Sequence, residues 1–290
     1  MKTDLHIHSR TGSDGAMDIE DIVREAARRN ITLMSVTDHD SIEGQEQAIS
    51  LTKKLGIAYV TGVELNVTFS LSATESISLD FLGYGYDIHN NELRTALRVI
   101  ADHRQKRARL ILDKVNEEFD RDGLVHLTDE DMKNIRDSVD GTFGRPHIAD
   151  YLVAKGIVHD RQEAFDRYLV KCDVPKYPLS LAEASRLVRN AGGILVLAHP
   201  DDPRGTSLRK VSLSLDKQAD IIRRHMLAYI DGIECWHSRH SPATRVFYAD
   251  FAEKNGLIAS GGSDCHQKPI IMGTIDIPDY VTRKFLELAR

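Results

Sequence analysis

Residues 31–65, ITLMSVTDHDSIEGQEQAISLTKKLGIAYVTGVEL, decide how the chain is organised. The apolar, β-branched opening predicts a strand over 32–37, the middle an amphipathic helix over 42–55, and the close a second strand over 58–65. Lys53 and Lys54 fall in the last turn of that helix and Gly56 just after it, the usual chemistry of a helix end. Two strands joined through a helix read as a parallel pair with a crossover connection. Each strand also runs into polar chemistry at its carboxyl end: Asp38 and His39 after the first, Glu64 at the end of the second.

The same rhythm extends outward. Upstream it predicts a strand over 4–8 and a helix over 19–29, with Asp18 as N-cap. Downstream it predicts helices over 181–190, 216–228 and 242–255, and strands over 194–198, 232–235 and 257–260. Between them, residues 91–178 have a different character: long charged helices, beginning NELRTALRVIADHRQKRARLILDKVNEEF, and no strand pattern. The expected organisation is a discontinuous α/β domain, 1–90 and 179–290, carrying a helical insertion or cap over 91–178. Six or seven βα units suit a barrel better than an open sheet.

Composition narrows the class. A chain of 290 residues with 41% hydrophobic and 28% charged side chains is an ordinary globular protein, neither disordered nor a coiled coil. The net charge of -6 gives no broad attraction to nucleic acid or to anionic membranes. Carboxylates gathered around cations would contribute to that sum while presenting a positive site, so a phosphate-bearing substrate stays compatible with it. Cys172, Cys235 and Cys265 are odd in number and lack Cys-x-x-Cys spacing, which argues for reduced thiols over disulfides or a zinc ribbon. The opening MKTDLHIHS has no apolar leader core and no later stretch is apolar for long enough to span a bilayer, so the expected location is the cytoplasm.

His6 and His8 stand two apart on a strand, so both side chains face one way and can grip one ion. His199 closes the strand over 194–198 before Pro200, and Asp264 and His266 follow the last strand in GGSDCH. Singly, each has a bland reading: His-x-His as a half-exposed strand pair, Asp38-His39 as a helix cap or turn. Together they are five groups at the carboxyl ends of strands, and in a (β/α) barrel those ends share one mouth.

These motifs resemble the PHP (polymerase and histidinol phosphatase) family of phosphoesterases. The matching pieces are DLHIHS at 4–9, SDG at 13–15, TDHD at 37–40, GVE at 62–64, AHP at 198–200 and GSDCH at 262–266, in the family's order and across nearly the whole chain. The helical stretch is similar to the insertion of the branch containing nucleoside 3',5'-bisphosphate phosphatases and related small phosphodiesterases. The resemblance implies a distorted (β/α)7 barrel with a site for two or three divalent cations. His6, His8, Glu64 and Asp264 would hold the first; Glu64 would bridge to a second held also by His199; Asp14, His39 and His266 would hold the third. Mixed imidazole and carboxylate ligation suits manganese first, with zinc and iron as alternatives. This sequence departs from the family in two places. Asp80 stands where relatives usually carry a histidine, which makes it a candidate oxygen ligand to the second ion, with His89 read as an exposed turn histidine. One additional residue separates His8 from Asp14.

The chemistry implied is hydrolysis of a phosphate ester: a water shared between two cations loses a proton near neutral pH and is placed for in-line attack on phosphorus. Expected substrates are small phosphorylated molecules: a nucleoside 3',5'-bisphosphate, a short oligonucleotide end or a ribose cyclic phosphate, the last given more weight by Asp80. Lys106, Arg107 and Arg109 in HRQKRAR, and Gly144 and Arg145 in Gly-Arg-Pro-His, are the candidate phosphate clamps, the first run otherwise reading as a solvated helix face. His240 is the candidate scissile-phosphate ligand or proton donor to the leaving group, with Trp236 and His237 as pocket-shaping or packing residues. Two other classes compete: a metal-dependent amidohydrolase, which usually bridges its ions with a lysine where Glu64 stands here, and a non-catalytic metal-binding module.

Overall fold

The computed structural model describes residues 1–72, 75–138, 145–266 and 269–289; Gly144 lies outside them. The chain divides into two compact units, Met1–Leu97 with Leu179–Arg290, and Arg98–Pro178.

The first unit opens with β1 (Thr3–Asp4), α1 (Ile19–Arg28), β2 (Leu33–Met34), α2 (Gln45–Leu55), β3 (Ala58–Tyr59), β4 (Gly62–Ser70) and β5 (Ser76–Tyr84). β1, β2 and β3 form a parallel three-stranded sheet. Ile19, Ile22, Val23 and Ala26 of α1 and Ala48 of α2 are buried in one cluster with Met34 and Val36, the 3.6-residue stripe that makes these segments helical. Asp18 takes the N-cap position with extended backbone but gives no side-chain cap bond. Gly56 closes α2 at φ 69°, a left-handed turn that costs glycine nothing.

Here the structure departs from the expected rhythm. The strand predicted over 58–65 is two strands in two sheets, broken at Val60 and Thr61, and β4 turns back on β5 as an antiparallel hairpin with Glu64 opposite Leu82 and Asn66 opposite Asp80. Both strands alternate, Val63, Leu65, Val67 and Phe69 in one and Ile77, Leu79 and Phe81 in the other, which is the period-two pattern of a half-buried strand. Polar partners at every other position dilute its apolar signal.

Helix α3 (Asn91–Asp122) crosses the boundary into the second unit, followed there by α4 (Asp129–Ser138), α5 (Arg145–Ala154) and α6 (Arg161–Ala164), which runs on as a short π-helix over Phe165–Leu169. No strand occurs there among the described residues. The unit has its own apolar core, including Ile111, Val115, Phe119, Ile135, Ile148 and Leu152.

Back in the first unit come α7 (Leu181–Asn190), β6 (Ile194–Leu197), α8 (Leu215–His225), β7 (Gly232–His237), α9 (Pro242–Lys254), β8 (Ile258–Gly262) and α10 (Asp279–Leu286). Ser180 and Ser241 cap α7 and α9, accepting from the N–H groups of Glu183 and Thr244. β4 to β8 form a five-stranded sheet in sequence order, antiparallel at β4/β5 and β5/β6 and parallel thereafter. Two isolated parallel bridges, Ile7 with Cys265 and His39 with Glu64 of β4, add to the pairing within the two sheets. The fold is α/β, with the polar segments at strand ends brought beside one another. Among the described residues no helix is long and apolar enough to cross a membrane.

Candidate metal centre

Close backbone approach builds the site. Asp4, buried at the end of β1, accepts from the N–H groups of Ser263 at 2.9 Å and Gly273 at 2.7 Å and so ties the first strand to the segment after β8. Gly262 makes that approach possible: a Cβ there would lie 2.3 Å from His6 Cβ and 2.4 Å from its backbone nitrogen. Asp264 and His199 sit at φ 54° and 23°, a region non-glycine residues seldom adopt. Their neighbours hold them there: Asp264 N–H donates to the His6 carbonyl and His199 N–H to Glu234 Oε2, each at 2.8 Å.

The side chains then converge. His6 Nε2 and His8 Nε2 are 3.1 Å apart. Both lie 3.2–3.4 Å from Glu64 Oε2 and 3.3–3.4 Å from Asp264 Oδ1. Glu64 also reaches His199 Nε2 through Oε1 at 3.0 Å and His39 Nδ1 through Oε2 at 3.1 Å. Asp14 Oδ1 lies 3.2 Å from His266 Nε2 and 3.8 Å from His39 Nε2. Three sets of mutually close donor atoms result: His6, Glu64 and His199; His6, His8 and Asp264; His8, Asp14, His39 and His266. Eight of the nine expected ligands are thus brought together. Asp80 joins none of these sets among the described residues; it accepts from Asn66 Nδ2 at 2.6 Å and from Thr206 Oγ1, and its charge acts on His199. His89 is exposed.

The donors fit divalent cations. Two imidazole nitrogens face each other between two carboxylates in a buried interior, with Glu64 Oε2 lying 3.1–3.4 Å from His6, His8 and His39, an arrangement that costs free energy until a cation or protons fill it. Protons are the fallback. Burial disfavours the charged form of His8, yet hydrogen bonds to Asp264 and Glu64 outweigh it and push its pKa up to about 10; burial is likewise overcome at His199 by Glu64, giving about 9. Against the same burial, the surrounding imidazoles hold the Glu64 and Asp264 carboxyls well below the usual range.

Several contributors escaped the sequence reading. Glu234 is fully buried in β7; its Oε1 takes the His6 Nδ1 hydrogen bond at 3.0 Å, fixing that ring with Nε2 toward the centre. His237, which the sequence offered only as a pocket-shaping or packing residue, puts its Nε2 3.2 Å from Asp264 Oδ2. On a regular strand Glu234 and His237 would face opposite ways, but the pairing with β8 shifts between Glu234 and Trp236, a bulge that changes the parity. A lone glutamate between Ile233 and Cys235 was the available signal, since buried acids are rare without a partner.

His240, just after β7, is buried, with Nδ1 3.1 Å from the Cys235 carbonyl and Nε2 3.4 Å from Asp201 N–H. Burial, then the charge of His237, lowers its pKa to about 4, so it is neutral at pH 7. Of the expected clamps, Arg107 donates to the Val174 carbonyl at 2.5 Å and to Asp173 at 2.9 Å, and Arg145 pairs with Asp173 at 3.2 Å, all within the helical unit. Lys106 and Arg109 line a cavity of about 510 Å³ in that unit, with Arg109 also paired to Asp129.

The PHP domain matches residues 4–171. The chain belongs to the PHP domain family. A 3',5'-nucleoside bisphosphate phosphatase of Chromobacterium violaceum is 32% identical over 91% of this chain and 86% of its own length. A 5'-3' exoribonuclease of Haemophilus influenzae is 28% identical over 91% and 90%. Among solved structures, a protein of Bifidobacterium adolescentis assigned as a metal-dependent phosphoesterase superposes with a TM-score of 0.75 at 27% identity, covering 99% of this chain and 96% of its own. As a member of this family the chain is a metal-dependent phosphoesterase, a hydrolase whose candidate ligands are the histidines and carboxylates above.

Proposed function

We propose that this enzyme hydrolyses small phosphorylated molecules, a nucleoside 3',5'-bisphosphate, a short oligonucleotide end or a ribose cyclic phosphate, using a three-ion centre that takes manganese in preference to zinc or iron. The observation that carries the reading is Glu64: one buried carboxylate facing four imidazoles, His6, His8, His39 and His199. His6, His8, Glu64 and Asp264 would hold one ion, Glu64 and His199 a second, and Asp14, His39 and His266 a third. Bound there, divalent cations neutralise phosphate oxygens and acidify water near neutral pH.

The chain's own groups supply the rest. Glu234 orients the His6 ring. His240, neutral with its Nδ1 donating to the Cys235 carbonyl and its Nε2 accepting from Asp201 N–H, would meet a phosphate oxygen only as the imidazolium, once the phosphate's negative charge draws its pKa back toward neutrality and equips Nε2 to protonate a leaving group. Asp80, held by Asn66 and Thr206 near His199, would act on the second ion through its charge or an oxygen. Lys106, Arg107, Arg109 and Arg145 remain the proposed grip on phosphates that are not cleaved. We also read the two bridges as seams of a distorted (β/α)7 barrel, with β3 and β4 as one broken strand: His8 N–H reaches the Cys265 carbonyl at 3.1 Å and Asp40 N–H the Glu64 carbonyl at 2.7 Å. A location in the cytoplasm belongs to the same proposal, consistent with three free, buried cysteines.

The test is a phosphate-release screen with manganese over nucleoside 3',5'-bisphosphates, ribose cyclic phosphates and short 5'-phosphorylated oligonucleotides, run on wild type, His199→Ala and Arg145→Ala. At least one substrate class should turn over; His199→Ala should lose that turnover, and Arg145→Ala should lower kcat/KM at least tenfold, about 1.4 kcal/mol. Equal rates for wild type and His199→Ala would overturn the centre, and an unchanged kcat/KM would remove Arg145 from it.

A further inference from the structure

Asp264 divides its two oxygens between opposite neighbours. Oδ1 lies 3.4 Å from His6 Nε2, 3.3 Å from His8 Nε2 and 3.3 Å from His266 Nδ1. Oδ2 lies 3.2 Å from His237 Nε2 and accepts from Arg239 Nη2 at 2.5 Å. The same guanidinium forks onto Asp202, through Nε at 2.9 Å to each oxygen and Nη2 at 2.7 Å. Asp202 is 1% exposed and is held again by the Arg204 N–H at 2.9 Å.

Leaving the arginine aside, the donor atoms of Asp202, His237 and Asp264 lie within 4.8 Å of one another, two carboxylates and an imidazole. That is a credible ligand set for a divalent cation. Without any cation it would be two carboxylates forced together in a poorly hydrated corner, which is costly. Arg239 resolves this with a charge that cannot be titrated away and a planar fork that spans both acids, a geometry a lysine ammonium cannot copy.

We propose that Arg239 is a positioning residue that stands in the place of a further metal ion. It occupies Asp264 Oδ2, so that this carboxylate offers Oδ1 alone to His6 and His8, and it keeps Asp202, His237 and Asp264 from capturing an extra divalent cation. The inference rests on the reading that the His6, His8 and Glu64 cluster binds cations.

Equilibrium dialysis against manganese, with bound ions counted by mass spectrometry, tests it on wild type, Arg239→Gln and the double variant Arg239→Gln/Asp202→Asn. Arg239→Gln should hold one more manganese per chain than wild type, and the second substitution should remove the additional ion. The same count in wild type and folded Arg239→Gln overturns the proposal. Should circular dichroism show Arg239→Gln unfolded, Arg239→Lys decides: it keeps the charge but not the fork, so a chelator should strip manganese from it at an equilibrium concentration at least threefold lower than from wild type, and equal retention overturns the proposal. A wild type that binds no manganese would sink the cation reading and this inference together, whereas a binding wild type with no change in the variants sinks the role of Arg239 alone.

Discussion

The deep and outer halves of the metal centre use the same residue types in different surroundings. His6, Glu64, His199 and Asp264 have side chains at most 5% exposed, while Asp14, His39 and His266 stand at 22–32%. In the deep half water cannot replace a lost partner, so removing one group leaves a buried charge uncompensated, typically a cost of about 3–5 kcal/mol. In the outer half solvent can take that place. The difference teaches that ligand identity alone does not rank these residues: the deep half fixes the geometry, and the outer half is where an ion can come and go. Glu64 joins the two, contacting His6 and His199 in the deep half and His39 in the outer one, as Asp264 does through His266.

Breaking that link should have the largest effect. Glu64→Gln keeps the volume of the side chain but removes the charge facing four imidazoles, so phosphate release should fall by more than about 100-fold, with manganese lost from both halves. If dialysis found full occupancy of either half in the variant, the bridging role would be refuted. A smaller effect sharpens the contrast from the deep side alone. Glu234→Gln leaves every direct ligand in place but weakens the hydrogen bond that aims His6, and manganese affinity should drop about 10–100-fold. The loss should be confined to the tightest sites in a chelator titration; a uniform weakening of all sites would argue that Glu234 serves general stability instead.

Much of this was readable beforehand, for identifiable reasons. His6 and His8 were legible because alternation on a strand puts them on one face, and Asp38, His39, His199 and Asp264 because polar groups at the ends of apolar strands are conspicuous. Within that set, however, Asp38 accepts from both the N–H and the hydroxyl of Ser9 at 2.6 Å, so it braces the loop between His8 and Asp14. Glu234 was hidden by a bulge that no periodicity encodes, and Arg239 by a pairing with Asp202 and Asp264 that only tertiary structure creates. The β4/β5 hairpin was missed although both strands alternate, because the surrounding strand–helix rhythm suggested another crossover. Asp80, flagged by its departure from the family pattern, lies opposite Asn66 across that hairpin, and so its place depended on the element that was missed.

The smallest expected effect concerns protons, and it compares the metal-free and metal-loaded centre. Without metal, His8 titrates near 10 and His199 near 9, both above the ordinary imidazole value of about 6.5. A group whose pKa is raised by folding stabilises the fold fully below its unfolded value and loses that contribution as pH climbs through the folded one. The metal-free protein should therefore lose stability between about pH 6.5 and 10 on account of these two rings. The lowered Glu64 and Asp264 act in the opposite sense and only in acid, outside that window. Cations must displace the same protons in order to bind, which becomes easier as pH rises. Manganese should accordingly raise Tm more at pH 8.5 than at pH 6.0, by at least about 3 °C in anaerobic melts. An equal or larger rise at pH 6.0 would mean that protons and cations do not compete for His8 and His199.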